Sequence, residues 1–362
     1  MITVRLGTRS YEIVVADSYR ALPARLTALQ FPRQGWIVTH GSILRRFGRQ
    51  LLGPLEQAGF RYEAIAVPES EASKSLGAVA RVAKRMASQR AMRVPGLLAF
   101  GGGVVGDLTG FVAAVYRRGV PYAQLPTTLL AQVDSAIGGK TGVDAAQGKN
   151  LLGAFHQPRL VWSHTGLLKS LPMRQRRSGL AEVIKYGVIA DPALFAYVEQ
   201  HVAACLAVEP RAVRVMVDRS CRIKARVVSR DERETGALRA TLNFGHTLGH
   251  ALEAATAYRR WTHGEAIAIG MCAAAALGVA WGRLSPAAHA RIVRLIERSG
   301  LPTRATRVSP QRVWSALSQD KKFIRGRMRW VIPQAIGKVL VTEALPPELV
   351  RGVVSRHLGG AR

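Results

Sequence analysis

Residues 96–106 read GLLAFGGGVVG. An uncharged apolar run leads straight into three glycines, and an apolar, helix-compatible segment follows. A short continuous apolar run bounded by glycines predicts a strand buried on both faces. The glycines allow a sharp turn and a close approach of backbone to ligand, with oxyanions meeting the first amides of the next helix. Residues 101–106 satisfy G-x-G-x-x-G literally, so the stretch predicts strand, turn and helix in a dinucleotide-binding fold. The layout is not the common one. The motif begins only at Gly101, and no Asp or Glu occurs between Gly119 and Gln132, where an acidic ribose contact would fall.

On both sides of this stretch short β-type runs alternate with helical ones. Residues 35–39, 62–67 and 123–126 predict strands, while 43–59 and 76–89 predict helices. Such alternation implies a parallel sheet with crossover helices. The start of the chain, MITVRLGTRSYEIVV, alternates apolar with polar residues and reads as a strand entering that sheet. From about residue 170 the period changes. Segments 178–190, 192–206, 211–231, 247–255, 264–282, 286–300 and 310–319 repeat at helical spacing, and 328–332 looks like one strand. The expected architecture is α/β: an N-terminal Rossmann-like domain with a parallel sheet, residues 1–171, and a mainly α-helical domain, residues 172–362.

The composition, 48% hydrophobic and 21% charged over 362 residues, supports two packed cores and excludes disorder, collagen-like repeats and coiled coil. Three cysteines (Cys205, Cys221 and Cys272) with no C-x-x-C pair leave no disulfide framework, so a reducing, cytoplasmic setting is expected. The longest uncharged apolar stretch, 266–281, is shorter than the ~20 residues that span a bilayer and reads as a core helix. The formal charge is +29, with 42 Arg and 10 Lys. Counterion release favours nucleic acid on any basic surface. Here the arginines are dispersed, and no C2H2, RNP or basic-zipper pattern occurs. The charge is read as an Arg-rich solvated surface that steers anionic substrates, with no nucleic-acid or membrane partner expected.

Residues 134–141, DSAIGGKT, resemble the end of a P-loop, but Asp134 stands where the first glycine is required, and the mononucleotide reading fails. What remains is a glycine-rich stretch displaying Lys140, followed by Gly148-Lys149-Asn150. Lysines in glycine-rich loops suit a substrate with several oxyanions. In a chain whose default cation is Arg, a retained Lys signals a specific chemical need. The sharpest pattern is metal-like. His246 and His250 stand at i and i+4 in NFGHTLGH and share one face of a helix. His263 follows in HGE, and Glu182 lies in SGLAEVIKYG. Imidazoles with a carboxylate and an open position describe catalytic zinc. H-E-x-x-H is absent, because Thr247 occupies the glutamate position. One histidine alone is as readily a hydrogen-bonded core residue; three within 246–263 favour a shared site.

The segments GGGVVGDLTGF, YRRG, LPTTLLAQVDSAIGGKTGV, GKNLLGAFHQP, SGLAEVIKYG, LNFGHTLGHALE and HGEAIAIGM together resemble the 3-dehydroquinate synthase family of sugar-phosphate cyclases. The resemblance runs over nearly the whole chain and is densest between 101 and 158. Glycerol-dehydrogenase-like enzymes share the fold. The resemblance implies an N-terminal NAD-binding domain, a mainly helical metal-binding domain and an active site in the cleft between them. It also implies conversion of 3-deoxy-D-arabino-heptulosonate 7-phosphate to 3-dehydroquinate and phosphate, a carbon–oxygen lyase reaction of the shikimate pathway. NAD would be used catalytically, with Zn²⁺ or Co²⁺, in a homodimer.

By position the resemblance makes Glu182, His246 and His263 the metal ligands, with His250 supporting them or contacting substrate. It places Glu69, Ser70, Glu71, Ala72, Ser73 and Lys74, together with Gly103, Val104, Val105, Gly106 and Asp107, on the NAD side. Thr127, Thr128, Lys140, Lys149, Leu167, Leu168, Lys169 and Ser170 join them. Asp134, Lys140, Asn150, Lys185, Lys224, Arg239, Asn243, His250 and Lys321 match substrate-pocket positions, and Arg118 matches an arginine that reaches the substrate phosphate of the neighbouring subunit. This chain departs from the family wording in four places. Glu69-Ser70 replaces Asp-Gly, His40 replaces an Asp or Asn, Ser170 replaces a Thr, and one residue is added between Glu234 and Arg239. Other readings are a different sugar-phosphate cyclase, a metal-dependent polyol dehydrogenase of the same fold, and a nucleic-acid-binding protein suggested only by the charge.

Overall fold

The apolar run at 96–101 is an interior strand of a seven-stranded sheet, in a computed structural model that describes residues 1–88, 94–145, 148–319, 323–324 and 327–359. Two compact units divide the chain: Met1–Leu171 with Lys224–Ser229, and Pro172–Ile223 with Arg230–Arg362.

In chain order the first unit holds β1 (Ile2–Val4), β2 (Tyr11–Ala16), α1 (Leu22–Ala28), β3 (Gln34–His40), α2 (Gly41–Gln57), β4 (Arg61–Val67) and α3 (Leu76–Ala87). It continues with β5 (Gly96–Gly101), α4 (Gly103–Val115), β6 (Tyr122–Pro126), β7 (Lys140–Ala145), β8 (Gly148–Phe155) and β9 (Leu160–His164). The sheet order is β1-β2-β9-β6-β5-β3-β4. Its first pair is antiparallel and every other pair is parallel. All six residues of β5 are buried, because helices cover both faces. Leu98 and Phe100 join Leu22 and Leu26 of α1 and Leu51 and Leu55 of α2. On the other face Leu97 and Ala99 join Val79, Val82 and Met86 of α3 and Val105, Leu108 and Val112 of α4. A strand covered on both sides has no reason to alternate, which explains its unbroken apolar reading.

The glycine-rich stretch carrying Lys140 and Lys149 is not a pair of loops. It forms an antiparallel ribbon, β7 with β8, outside the main sheet. Glycine is required by close backbone approach: a Cβ on Gly153 would lie 2.3 Å from the Thr141 carbonyl oxygen, and one on Gly142 2.7 Å from that of Leu152. Composition alone suggested turns; pairing makes it strand.

The remaining elements are α5 (Met173–Ala190), α6 (Pro192–Gln200), α7 (Val202–Ala207), α8 (Pro210–Arg230), α9 (Ala237–Ala240), α10 (His246–Ala255), α11 (His263–Ala280) and α12 (Pro286–Arg298). They end with α13 (Pro310–Gln319), β10 (Phe323–Ile324), β11 (Arg327–Met328), β12 (Trp330–Ala335), β13 (Lys338–Thr342) and α14 (Pro347–His357). The helical segment expected over 192–206 breaks at His201, which leaves helical geometry (φ −120°, ψ 30°) while its ring stacks on Tyr197. The single strand expected at 328–332 is divided between two antiparallel ribbons, β10–β11 and β12–β13. Among the described residues α11 alone is long and apolar enough to cross a membrane, and 72% of it is buried inside the protein, as a core helix.

A candidate metal centre and a candidate dinucleotide turn

In the second unit α5, α10 and α11 approach one another closely because glycines line their contacts. A Cβ on Gly270 would lie 1.8 Å from the Gly245 carbonyl oxygen, and one on Gly264 2.1 Å from that of Ser178. No other residue type fits there. Ser178 Oγ accepts the Gly264 N–H at 3.1 Å, and Thr262 and Glu265 form a capping box that starts α11 at His263. Gly245, at φ +79°, starts α10 at His246. Two imidazoles thus stand at the first positions of two helices, facing Glu182 of α5.

Glu182 Oε1 lies 3.4 Å from His246 Nε2 and 3.2 Å from His263 Nε2. A tetrahedral centre with bonds of ~2.0–2.1 Å sets its donors roughly 3.3 Å apart, so this carboxylate and these two rings fit a zinc-type cation. The remaining nitrogens are occupied. His246 Nδ1 lies 3.1 Å from the Phe244 carbonyl oxygen, and His263 Nδ1 lies 3.4 Å from Glu253 Oε1. A second group, His250, Glu253 and His263, also brings its donor atoms within 4.8 Å of one another.

Lys185, one turn along α5, forms an ion pair with Glu182 Oε2; the two are 1% and 0% exposed. Burial pushes the Glu182 carboxyl up, but the Lys185 ammonium and the imidazoles outweigh it and hold the group well below the usual carboxylate range. Burial also lowers His246 despite Glu182. Burial works against charge on His263 too, but Glu182 and Glu253 prevail and push it up to about 10.

Arg239, 2% exposed, donates to the Glu232 carbonyl oxygen. Its loop is tied to Asp231, whose carboxylate accepts the N–H groups of Thr235, Gly236 and Arg239 at 3.0, 3.2 and 3.1 Å. Glu234 takes a left-handed φ of +58° and accepts Asn243 Nδ2 at 3.1 Å. His250 lies beside the centre, its ring centroid 5.2 Å from that of His246.

In the first unit Gly102 caps α4 and Gly103 begins it. A Cβ on Gly103 would sit 3.1 Å from Ser135 Oγ. Thr127 donates its N–H to the Gly101 carbonyl at 2.9 Å. Thr127 Oγ1 and Ser135 Oγ are buried with no hydrogen-bond partner among the described residues. Buried hydroxyls are rarely left unsatisfied, and beside a glycine turn at a helix N-terminus they suit a phosphate-bearing ligand. Thr128 Oγ1 accepts the Ala131 N–H at 3.2 Å.

Lys74 donates to Asp107 at 2.7 Å and to Asn150 Oδ1; burial disfavours its charge, but Asp107 holds its pKa above the ordinary value. Lys149 pairs with Glu71 at 2.6 Å. Glu69 accepts the Ser42 N–H at 3.1 Å, Ser70 accepts that of Ala72 at 3.2 Å, and Ser73 donates to the Pro68 carbonyl at 2.7 Å. His40 Nδ1 lies 3.1 Å from the Val67 carbonyl oxygen. Lys224 pairs with Asp134 at 2.7 Å.

Other expected positions contribute differently. Val105, Leu167 and Leu168 point their side chains into the core and leave only backbone for a ligand. Ala72, Lys140 and Lys169 are exposed, and Val104 is half-buried. Ser170 donates to the Leu167 carbonyl at 2.7 Å. Arg118 is exposed on a left-handed turn (φ +63°). Lys321 lies outside the described residues. The sequence reading passed over Glu253, although its place seven residues after His246 puts both on one face of α10.

Two family profiles match adjoining parts of the chain: 3-dehydroquinate synthase N-terminal over residues 64–178, and 3-dehydroquinate synthase C-terminal over residues 179–323. Among solved structures, 2-epi-5-epi-valiolone synthase from Streptomyces hygroscopicus subsp. jinggangensis 5008, with NAD⁺ and Zn²⁺ bound, is 29% identical, with a TM-score of 0.87 over 96% of each chain. A 2-deoxy-scyllo-inosose synthase complexed with carbaglucose-6-phosphate, NAD⁺ and Co²⁺ has a TM-score of 0.85 at 23% identity, covering 98% of this chain and 99% of that one. At that identity it speaks for the fold alone. So does a probable glycerol dehydrogenase from Sinorhizobium meliloti 1021, 15% identical with a TM-score of 0.62, covering 95% of this chain and 96% of its own. Since the two synthase profiles abut and together span well over half of the sequence, this enzyme belongs to the 3-dehydroquinate synthase family of sugar-phosphate cyclases.

Proposed function

We propose that this cyclase is a 3-dehydroquinate synthase, releasing phosphate from 3-deoxy-D-arabino-heptulosonate 7-phosphate and closing the ring to 3-dehydroquinate. The observation that carries the reading is that both matching profiles are those of the synthase and meet without a gap at residues 178 and 179. The residues of the two units support an anionic substrate. Arg118, Lys140 and Lys224 in the first unit, and Lys185, Arg239, Asn243 and His250 in the second, are donors suited to carboxylate and phosphate oxygens. We assign Arg239 and Lys224 to the carboxylate, and Lys140, Asn243, His250 and Arg118 to the phosphate, Arg118 acting across a homodimer. Asp134, Asn150 and Lys321 complete the substrate set.

Glu182, His246 and His263 would hold the divalent cation, zinc or cobalt, and the glycine turn with Thr127, Lys74 and Asp107 would hold NAD. When bound, these groups supply Lewis acidity and reversible hydride acceptance, so the overall reaction involves no net redox change. The chain's own part is placement and charge. The Lys185 ammonium keeps Glu182 ionised, so this carboxylate stays a ligand rather than a proton store. Asp134 holds the Lys224 ammonium in one position, and Asp231 holds the loop that presents Arg239. Groups held in place in this way lower the orientation cost of each step they serve.

A second reading, a cyclase for a sugar phosphate lacking the carboxylate, is favoured by the 29% identity to a valiolone synthase. Phosphate release from the heptulosonate phosphate and from a carboxylate-free sugar phosphate, with NAD⁺ and Zn²⁺ or Co²⁺ supplied, separates the two. Turnover of the first substrate alone is expected. Turnover of the second alone transfers the assignment, and turnover of neither overturns both.

A further inference from the structure

Within the candidate metal centre His263 has a carboxylate on each side. Its Nε2 lies 3.2 Å from Glu182 Oε1, and its Nδ1 lies 3.4 and 3.5 Å from the two Glu253 oxygens. Glu253 is 8% exposed, and a carboxylate so placed persists only where something compensates its charge. His246 is backed differently: its Nδ1 faces a neutral acceptor, the Phe244 carbonyl oxygen, at 3.1 Å. The two imidazoles of the centre are therefore not equivalent.

We propose that Glu253 is a positioning residue for the metal centre, orienting His263 by accepting a hydrogen bond from Nδ1–H. A cation would displace the proton between Nε2 and Glu182, and the bond to Glu253 would then keep the remaining proton on Nδ1, leaving the Nε2 lone pair for the cation. The charge on Glu253 makes the ring a stronger donor than His246. Carboxylates behind ligating imidazoles act in this way generally, and their loss weakens metal binding by about 10–100-fold. The inference rests on the metal reading given above. Its competitor is also built into the site, since His250, Glu253 and His263 bring their donor atoms within 4.8 Å of one another and could instead take a cation of their own.

The test titrates chelator-treated, full-length protein with Co²⁺, following visible absorbance and stoichiometry for the wild type, Glu253→Gln and Glu253→Asp. The expected result is one cation per wild-type chain, affinity weakened about 10–100-fold in Glu253→Gln, and an intermediate value in Glu253→Asp. The far-UV circular dichroism of the stripped proteins should be unchanged, which a merely structural role for Glu253 would not give. Wild-type affinity in folded Glu253→Gln overturns the proposal. If that variant does not fold, Glu253→Asp decides alone: weakened affinity supports the proposal and wild-type affinity overturns it. Two cations per wild-type chain, one of them lost in Glu253→Gln, overturns it in favour of Glu253 as a ligand. A wild-type chain that takes up no cation overturns the metal reading and this inference together.

Discussion

Lys224 Nζ lies 2.7 Å from the Asp134 carboxylate and 2.8 Å from the Asp134 carbonyl oxygen, across 90 residues of sequence. Lys224 comes from the part of α8 that groups with the first unit, and Asp134 from the wide π-type turn Ala131–Ser135 after β6. The Lys224 side chain is only 8% exposed, so its charge depends on what surrounds it. Asp134→Ala should cost about 1–3 kcal/mol of stability, the penalty for taking a partner from a largely buried charge. Thermal unfolding of Asp134→Ala, Lys224→Met and the double variant measures the coupling. Strictly additive effects would mean that the pair contributes nothing.

His263→Ala should lose bound metal and activity together while the fold survives, because it removes one of three protein donors from the candidate centre. Metal analysis beside far-UV circular dichroism checks this. Full occupancy with normal turnover would remove His263 from the donor set.

NAD⁺ should be required for phosphate release, yet the reduced-nicotinamide absorbance should show no net accumulation during turnover. Stoichiometric NADH would point to a dehydrogenase of the same fold instead.

Lys140→Ala should lower kcat/KM by roughly ten- to a hundredfold, the worth of one charge-assisted contact of about 1.5–3 kcal/mol. Steady-state kinetics across a salt series tests it. Loss that vanishes at high salt would reduce Lys140 to long-range steering.

Asp191 caps α6 by accepting the Leu194 N–H at 3.0 Å and pairs with Arg219 through bonds of 2.7 and 2.8 Å. Burial favours the neutral acid, but Arg219 and the helix amides outweigh it and hold the group below its ordinary pKa. A depressed carboxyl contributes stability that is present above the unfolded value of ~3.9 and is lost as pH falls through the folded one. Asn caps a helix about as well as Asp, so Asp191→Asn removes chiefly the charge and should cost about 0.2–1 kcal/mol at neutral pH, with the gap from wild type closing below pH ~4. Urea unfolding at both pH values measures it; a gap independent of pH would exclude the charge as the cause.

The strand, turn and helix around Gly101 were legible because each signal was local: an apolar run, three glycines, then helix formers. The shared face of His246 and His250 was legible from spacing alone. The β7–β8 ribbon was not, because its glycines are needed by a facing strand that composition does not reveal. The break at His201 was hidden for a similar reason, since nothing in PALFAYVEQHVAACLA departs from helical spacing. Glu253 was missed because a glutamate on a helix is ordinarily a solvated residue. Here it is 8% exposed and faces His263.

Local chemistry along the chain was thus enough for the strand, turn and helix around Gly101, for the mainly helical character of the second unit, and for naming Glu182, His246 and His263 as candidate donors. Packing was needed to bring Glu182 between His246 and His263, to pair Lys224 with Asp134 and to set Glu253 behind a ring. The physical reason lies in the glycines. Where Gly245 meets Gly270, and where Gly264 meets Ser178, the missing Cβ atoms let helices approach at distances no other residue allows. That closeness is a property of two segments at once, and neither segment states it in its own sequence.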